Sequence, residues 1–149
     1  PKVLHRVGGR SLIEHVLATA ATLDPASIIV VVGHQAADVR AALAAHQHLD
    51  FVVQEPQLGT AHALLTTESR LRDRRGTLIL LSGDVPCLSA DTLKLLLATH
   101  TSSRAAATVV TAVVDDPTGY GRIIRDGQKI ARIVEEKDAS PGERGIREI

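Results

Sequence analysis

A chain of 149 residues, 44% of them hydrophobic, is long enough to bury a core and fits one domain. Its 17 basic and 17 acidic residues cancel, which removes the simplest electrostatic case for a nucleic-acid or membrane partner. A single cysteine, Cys87, excludes an internal disulfide, and no apolar run approaches a membrane span, so a reducing, cytoplasmic setting is expected.

Phe51 and Tyr120 are the only aromatic residues besides the histidines, so the core must come from Ala, Val, Leu and Ile. Cys87 is expected to join it as a small apolar side chain. The chain opens on Pro1-Lys2-Val3-Leu4 and closes on Arg147-Glu148-Ile149, and both ends read as cuts through a longer protein.

Ser11-Leu12-Ile13-Glu14 has the form of a capping box, and Leu12, Ile13, Val16, Leu17 and Ala20 then line one helical face. Asp24-Pro25 ends that helix. Ile28–Val32 is a continuous β-branched run, expected of a strand covered on both faces. A helix with Ala36, Val39 and Leu43 in register follows Gly33-His34. The next strand is Phe51–Val53, at the end of an apolar run from Leu49, and a helical pattern runs from Ala61 to Leu71. Leu78–Leu81 and Thr108–Val114 read as further strands, on either side of a helix capped by Ser89 and carrying Leu93, Leu96 and Leu97. Strands alternating with helices predict a parallel sheet. After Asp115 the period changes to two. Tyr120–Arg125 and Lys129–Glu135 flank Asp126-Gly127, which predicts an antiparallel hairpin. Lys137–Arg144 reads as a polar surface loop.

The segment from Gln54 to Ala63 joins a strand to a helix through Pro56 and the Gly59-Thr60 pair. Glycine permits close backbone approach, and free N–H groups at a helix start can bind a polar ligand. Gln54 can read a base edge through an amide that donates and accepts, although a glutamine at a strand end more often faces water. Thr60 fits a ligand contact, a helix cap or both. Asp84 follows the apolar run Leu78–Leu81, at the sheet end where open α/β folds place ligands. A carboxylate there suits Mg²⁺, and it equally suits a turn before Pro86. Gly83 beside it is expected to leave room for a bulky ligand. Lys2 is a possible phosphate contact, but by position alone it reads as a solvated lysine. Gly119 and Gly121 fit either a tight loop or a backbone contact to a sugar or phosphate. Glu135 could accept from sugar hydroxyls or stand as a solvated strand-end charge. The seven histidines have no metal-ligand spacing.

Five motifs occur in order: Pro1-Lys2-Val3-Leu4-His5, Gln57-Leu58-Gly59-Thr60-Ala61-His62-Ala63, Gly83-Asp84-Val85-Pro86, Asp115–Ile123, and Ile133-Val134-Glu135-Glu136-Lys137-Asp138-Ala139. Together they resemble, from end to end, the uridylyltransferase domain of the bacterial bifunctional N-acetylglucosamine-1-phosphate uridylyltransferase / glucosamine-1-phosphate acetyltransferase family. The resemblance implies a Rossmann-like nucleotidyltransferase core, α/β with a mostly parallel sheet plus an antiparallel hairpin. It implies uridylyl transfer from UTP to N-acetylglucosamine 1-phosphate, with Mg²⁺, giving UDP-N-acetylglucosamine for peptidoglycan and lipopolysaccharide synthesis. Lys2 then matches the phosphate-binding lysine. Gln54, Gly59 and Thr60 match the uracil positions, so the helix start becomes a base site rather than a phosphate site. Asp84 matches a metal ligand, and Gly121 and Glu135 match contacts to the amino sugar.

The chain departs from the family in several places. The family's Gly-rich phosphate loop and first core strand, its Asn-bearing sugar segment and second metal ligand, and its C-terminal acetyltransferase β-helix have no counterpart in residues 1–149. Ser82 stands where many relatives carry Tyr. The expectation is one partial nucleotidyltransferase domain with exposed sheet edges and little turnover alone, and a homotrimer only for a full-length parent. Two alternatives stand beside it: another sugar-phosphate nucleotidyltransferase, and a degenerate, non-catalytic nucleotide-binding module.

Overall fold

The computed structural model describes all 149 residues, which form two compact units, Pro1–Leu97 and Ala98–Ile149. In the first unit a 3₁₀ turn at Lys2–Leu4 precedes a short antiparallel pair, β1 (Arg6–Val7) and β2 (Arg10–Ser11). Helix α1 (Leu12–Ala21) starts where the sequence predicts. The Glu14 carboxylate accepts from the Ser11 backbone N–H at 2.7 Å and from its hydroxyl at 2.6 Å. Those bonds hold the Glu14 carboxyl below its ordinary pKa.

Strand β3 (Ile28–Val32), helix α2 (Ala36–Ala42) and strand β4 (Leu49–Val53) make the parallel unit, in register from Ile28 opposite Leu49 to Val32 opposite Val53. Ile13 and Leu17 from α1 pack with Val30, Val32, Val39, Leu43 and Leu49. The first core is therefore aliphatic, with Phe51 at its margin under the Arg40 guanidinium, 5.2 Å from the ring centre.

The predicted helix from Ala61 to Leu71 is two helices, α3 (Thr60–Leu65) and α4 (Glu68–Leu71). Between them the Thr66 and Thr67 hydroxyls donate to the carbonyls of Ala63 and Leu64, both at 2.7 Å. Hydroxyls that bond carbonyls one turn back offer the backbone an alternative to helical continuation. The Leu78–Leu81 run is not a strand. It and β3 line one cavity of ≈ 1410 Å³ and belong to no common ladder, so Leu78 and Leu80 remain exposed. Apolar patterning predicts what wants burial; a strand also needs a partner edge within hydrogen-bonding reach. The parallel sheet accordingly has two strands. Ser89 caps helix α5 (Ala90–Ser103) by accepting from the Thr92 N–H at 3.1 Å, and Leu93 is fully buried. Cys87 is exposed rather than in the core. No helix is long and apolar enough to cross a membrane.

In the second unit, Thr108–Val114 is not a strand either. Only Val113 bridges, to Glu148, while Ala112 exchanges backbone bonds with Ile149, and the Val114 N–H donates to the Arg147 carbonyl and its carbonyl accepts from Arg147 Nε. The hairpin forms as predicted, β5 (Arg122–Asp126) against β6 (Lys129–Val134), with Gly127 at φ 59° in the turn and a register shift at Ile124/Arg125. The stretch read as a surface loop is ordered by a 3₁₀ turn, Glu136–Asp138, and a short helix, α6 (Pro141–Arg144). A second capping box, Ser140 with Glu143, starts α6. Ser-Pro-Gly-Glu carries that cap and an N1 proline, a start signal hidden by its polar composition.

Candidate functional site

Five of the seven candidate residues lie in the first unit: Lys2, Gln54, Gly59, Thr60 and Asp84. Asp84 sits in the turn after the extended Leu78–Leu81 run, where the Val85 N–H donates to the Ser82 carbonyl at 3.3 Å. The 3₁₀ turn at the chain start carries Lys2 to it, and the ammonium meets the Asp84 carboxylate at 2.9 Å. These two residues are 82 positions apart, and no local pattern relates them. The Lys2 bond, against a smaller desolvation effect, holds the Asp84 carboxyl below its usual range. Gly83 lines the cavity on one side and packs against the core on the other. A β-carbon there would stand in ordinary contact with Val3 at 3.4 Å and Ile13 at 3.8 Å.

β4 delivers Gln54 to the loop, and the Gln54 N–H extends the parallel ladder by donating to the Val32 carbonyl at 2.7 Å. The Glu55–Pro56 peptide is cis. Gly59 is the cap of α3 at φ 91°, a left-handed backbone that favours glycine. Thr60 is the first helical residue and its hydroxyl makes no capping bond, so the cap reading of Thr60 fails and its exposed hydroxyl stays available to a ligand. The Gln54 side chain is not the two-way amide of the sequence reading. Its Nε2 donates to the Gly59 carbonyl at 2.9 Å and to His62 Nδ1 at 3.1 Å, so both amide hydrogens are committed within the loop.

Two cavities meet this loop. One of ≈ 460 Å³ is walled by Gly33, His34 and the loop residues Val53–Gln57. The cavity of ≈ 1410 Å³ is lined by Gln54, Gln57, Gly59 and Thr60, and also by Ser82 and Gly83 beside Asp84. The base-loop candidates and the Asp84 turn thus open onto one space inside the first unit. Gly33 and Gln57 are residues that sequence reasoning missed. The Gln57 amide lies across Gly33 so closely that a β-carbon there would fall 1.9 Å from Nε2.

Gly121 and Glu135 belong to the second unit, which brings them together. A β-carbon on Gly121 would stand 3.4 Å from the Val134 carbonyl and 3.9 Å from the Glu135 carboxylate. The next residue, Glu136, carries the local structure. It accepts from the Gly119 N–H at 2.5 Å and from Arg122 at 3.4 Å. Arg122 is 1% exposed and also donates to the carbonyls of Tyr120 and Arg144. Arg122 and its neighbour Ile123 are both buried in β5, so the alternating pattern carried no signal for the burial of Arg122. No group of three or more His, Cys, Asp or Glu side chains converges anywhere in the chain. Asp84 is a lone hard carboxylate, a donor set that fits Mg²⁺ shared with substrate phosphates and does not fit an all-protein cage.

Against known proteins, residues 1–148 match the model of the MobA-like NTP transferase domain. The bifunctional protein GlmU of Brevibacillus brevis is 52% identical over 149 residues, covering 99% of this chain and 32% of that protein. GlmU of Anaeromyxobacter dehalogenans is 47% identical over 152 residues, covering 99% and 31%. The chain thus spans about a third of the length of these relatives. A Bacillus anthracis protein assigned as a glucose-1-phosphate thymidylyltransferase shares the fold, with a TM-score of 0.68 over 99% of this chain and 58% of its own, at 23% identity.

Proposed function

We propose that this chain, which belongs to the MobA-like NTP transferase domain family, carries the nucleotide-binding part of a uridylyltransferase. The reaction joins UTP and N-acetylglucosamine 1-phosphate into UDP-N-acetylglucosamine and pyrophosphate. The observation that carries this reading is the shared cavity. One space is lined by the base-loop residues Gln54, Gly59 and Thr60 and by Ser82 and Gly83, while Asp84 and Lys2, bonded to each other, are the chain neighbours of lining residues rather than lining residues themselves. A nucleoside triphosphate has a base at one end and phosphates at the other, and it needs those two kinds of wall.

In the transfer, an oxygen of the sugar phosphate forms a bond to the α-phosphorus of UTP. The bond from that phosphorus to the bridging oxygen breaks, and its electrons leave with pyrophosphate. Little covalent chemistry falls to the protein; positioning and charge neutralisation dominate. Asp84 would hold Mg²⁺, whose contribution when bound is to neutralise phosphate charge. Lys2 moves from the Asp84 carboxylate to a phosphate oxygen when the nucleotide arrives. Gln54, the Gly59 backbone and Thr60 hold the base. In the second unit, Gly121 and Glu135 are the residues that the family resemblance matches to amino-sugar contacts.

The test is pyrophosphate release by the full gene product with UTP, Mg²⁺ and N-acetylglucosamine 1-phosphate. A panel of other nucleotides and sugar phosphates runs beside it. Asp84→Asn is expected to lower turnover at least about a hundredfold. Near-normal Mg²⁺-dependent rates in that variant would remove Asp84 from the metal site. Faster turnover with another nucleotide or sugar phosphate would transfer the assignment to a sister activity.

A further inference from the structure

We infer that His62 is the positioning residue that fixes base choice, by locking the Gln54 carboxamide with its oxygen as the only free group. The inference rests on reading the Gln54 loop as the base site, and it adds to that reading a residue and a physical basis for selectivity.

The hydrogen-bond inventory leaves one arrangement. The Gly59 carbonyl can only accept, so the group facing it at 2.9 Å must be the carboxamide nitrogen of Gln54. That nitrogen carries two hydrogens and offers no lone pair. Its second contact, His62 Nδ1 at 3.1 Å, must therefore be an acceptor, which assigns the neutral imidazole with its proton on Nε2. With both hydrogens committed, Gln54 presents to a ligand the carboxamide oxygen alone.

An acceptor-only tip discriminates between pyrimidines. Uracil carries a hydrogen on N3 and can donate to that oxygen. Cytosine has a lone pair at N3, so the same approach sets two acceptors against each other. The Gly59 bond alone would not enforce this. With a single anchor the amide can swing about that bond and offer its second N–H to cytosine. His62, in the first turn of α3, closes that option. The locked amide selects a base with a ring N–H between two carbonyls, the pattern of uracil and thymine.

The experiment is equilibrium titration of the chain with UTP and with CTP, for wild type, His62→Ala and His62→Asn. The UTP/CTP affinity ratio should fall about tenfold in His62→Ala, the size of one well-placed hydrogen bond. It should be retained in His62→Asn, whose Oδ1 can accept where Nδ1 did. A structural role for His62 would lower both affinities together and leave the ratio alone, and that result overturns the inference. Nitrogen NMR supplies a readout independent of any nucleotide. His62 Nδ1 should show the shift of an unprotonated ring nitrogen, and the Gln54 side-chain amide signals should move in His62→Ala. A proton on Nδ1, or Gln54 signals indifferent to His62→Ala, also overturns the inference. If the amide is locked by these criteria yet wild type shows no preference for UTP, the base-site reading fails instead.

Discussion

Replacing Gly33 by alanine separates the stability of the nucleotide loop from its function. Gly33 does not occupy the left-handed region, so its backbone accepts a β-carbon. The obstacle is the Gln57 side chain. The new carbon would stand 1.9 Å from Nε2, 2.6 Å from Cδ and 3.0 Å from Cγ. Against an ordinary contact of about 3.5 Å, the amide must retreat by about 1.6 Å. It is the free end of a flexible side chain, so the movement costs about 0.5–1.5 kcal/mol of rotamer strain. Alanine returns about 0.4–1 kcal/mol by restricting the unfolded chain. The net change is within about 1 kcal/mol, or a few degrees in Tm for a chain of this size. Nucleotide affinity should nevertheless fall several-fold, because Gln57 walls both cavities at the loop. Thermal unfolding and UTP titration of Gly33→Ala, with Gly33→Ala/Gln57→Gly as the relieved partner, measure the two effects separately. Destabilisation beyond about 3 kcal/mol would show that Gln57 cannot yield. Unchanged UTP affinity would show that its position does not matter to the site.

Three further outcomes follow from the packing and charge. Leu93→Ala should cost about 2–5 kcal/mol in urea unfolding because the side chain is fully buried, whereas exposed Leu95→Ala on the same helix should stay within about 0.5 kcal/mol. Arg122→Met should destabilise the second unit by about 3 kcal/mol, at the lower end for a broken buried ion pair because Glu136 is partly solvated, and amide exchange across Tyr120–Arg144 should accelerate. Glu148, held by Arg125 and Thr111, has its carboxyl lowered to about 2. A lowered carboxyl stabilises the fold above its unfolded value of about 4.3, and that stability drains away as pH falls toward the folded value. The second unit should therefore loosen between those pH values, and Glu148→Gln should flatten that part of a pH-dependent exchange profile.

The sequence was legible where a signal is local. The capping box at Ser11–Glu14, the β-branched run Ile28–Val32 and the Asp126-Gly127 hairpin each stand where the pattern puts them. It was illegible where structure depends on a partner. Leu78–Leu81 and Thr108–Val114 have strand composition, yet pairing is a property of two segments, and neither finds a continuous edge. The same division runs through the site. Gly59 is recognisable because its backbone requires glycine. Individual candidates such as Lys2 and Glu135 read as solvated charges until an ordered set of motifs joins them. His62 and Gln57 act through side-chain contacts across a loop, and no spacing rule encodes which amide hydrogen goes where.

The Lys2–Asp84 contact is built for exchange rather than for stability. An exposed ion pair contributes little to stability, because solvent screens it and two side chains must be held still. With Lys2 largely exposed, its value to the fold is small and so is the cost of parting it. Each partner also has a stronger alternative in the proposed ligands: the ammonium in a phosphate, the carboxylate in a divalent cation. A weak pair of opposite charges keeps both groups oriented at the turn without binding them tightly. Exchange of this pair for phosphate and metal then separates charges that water already screens, so nucleotide binding meets little electrostatic resistance at this point. A buried pair in the same place would oppose the exchange, because parting it would strand two desolvated charges.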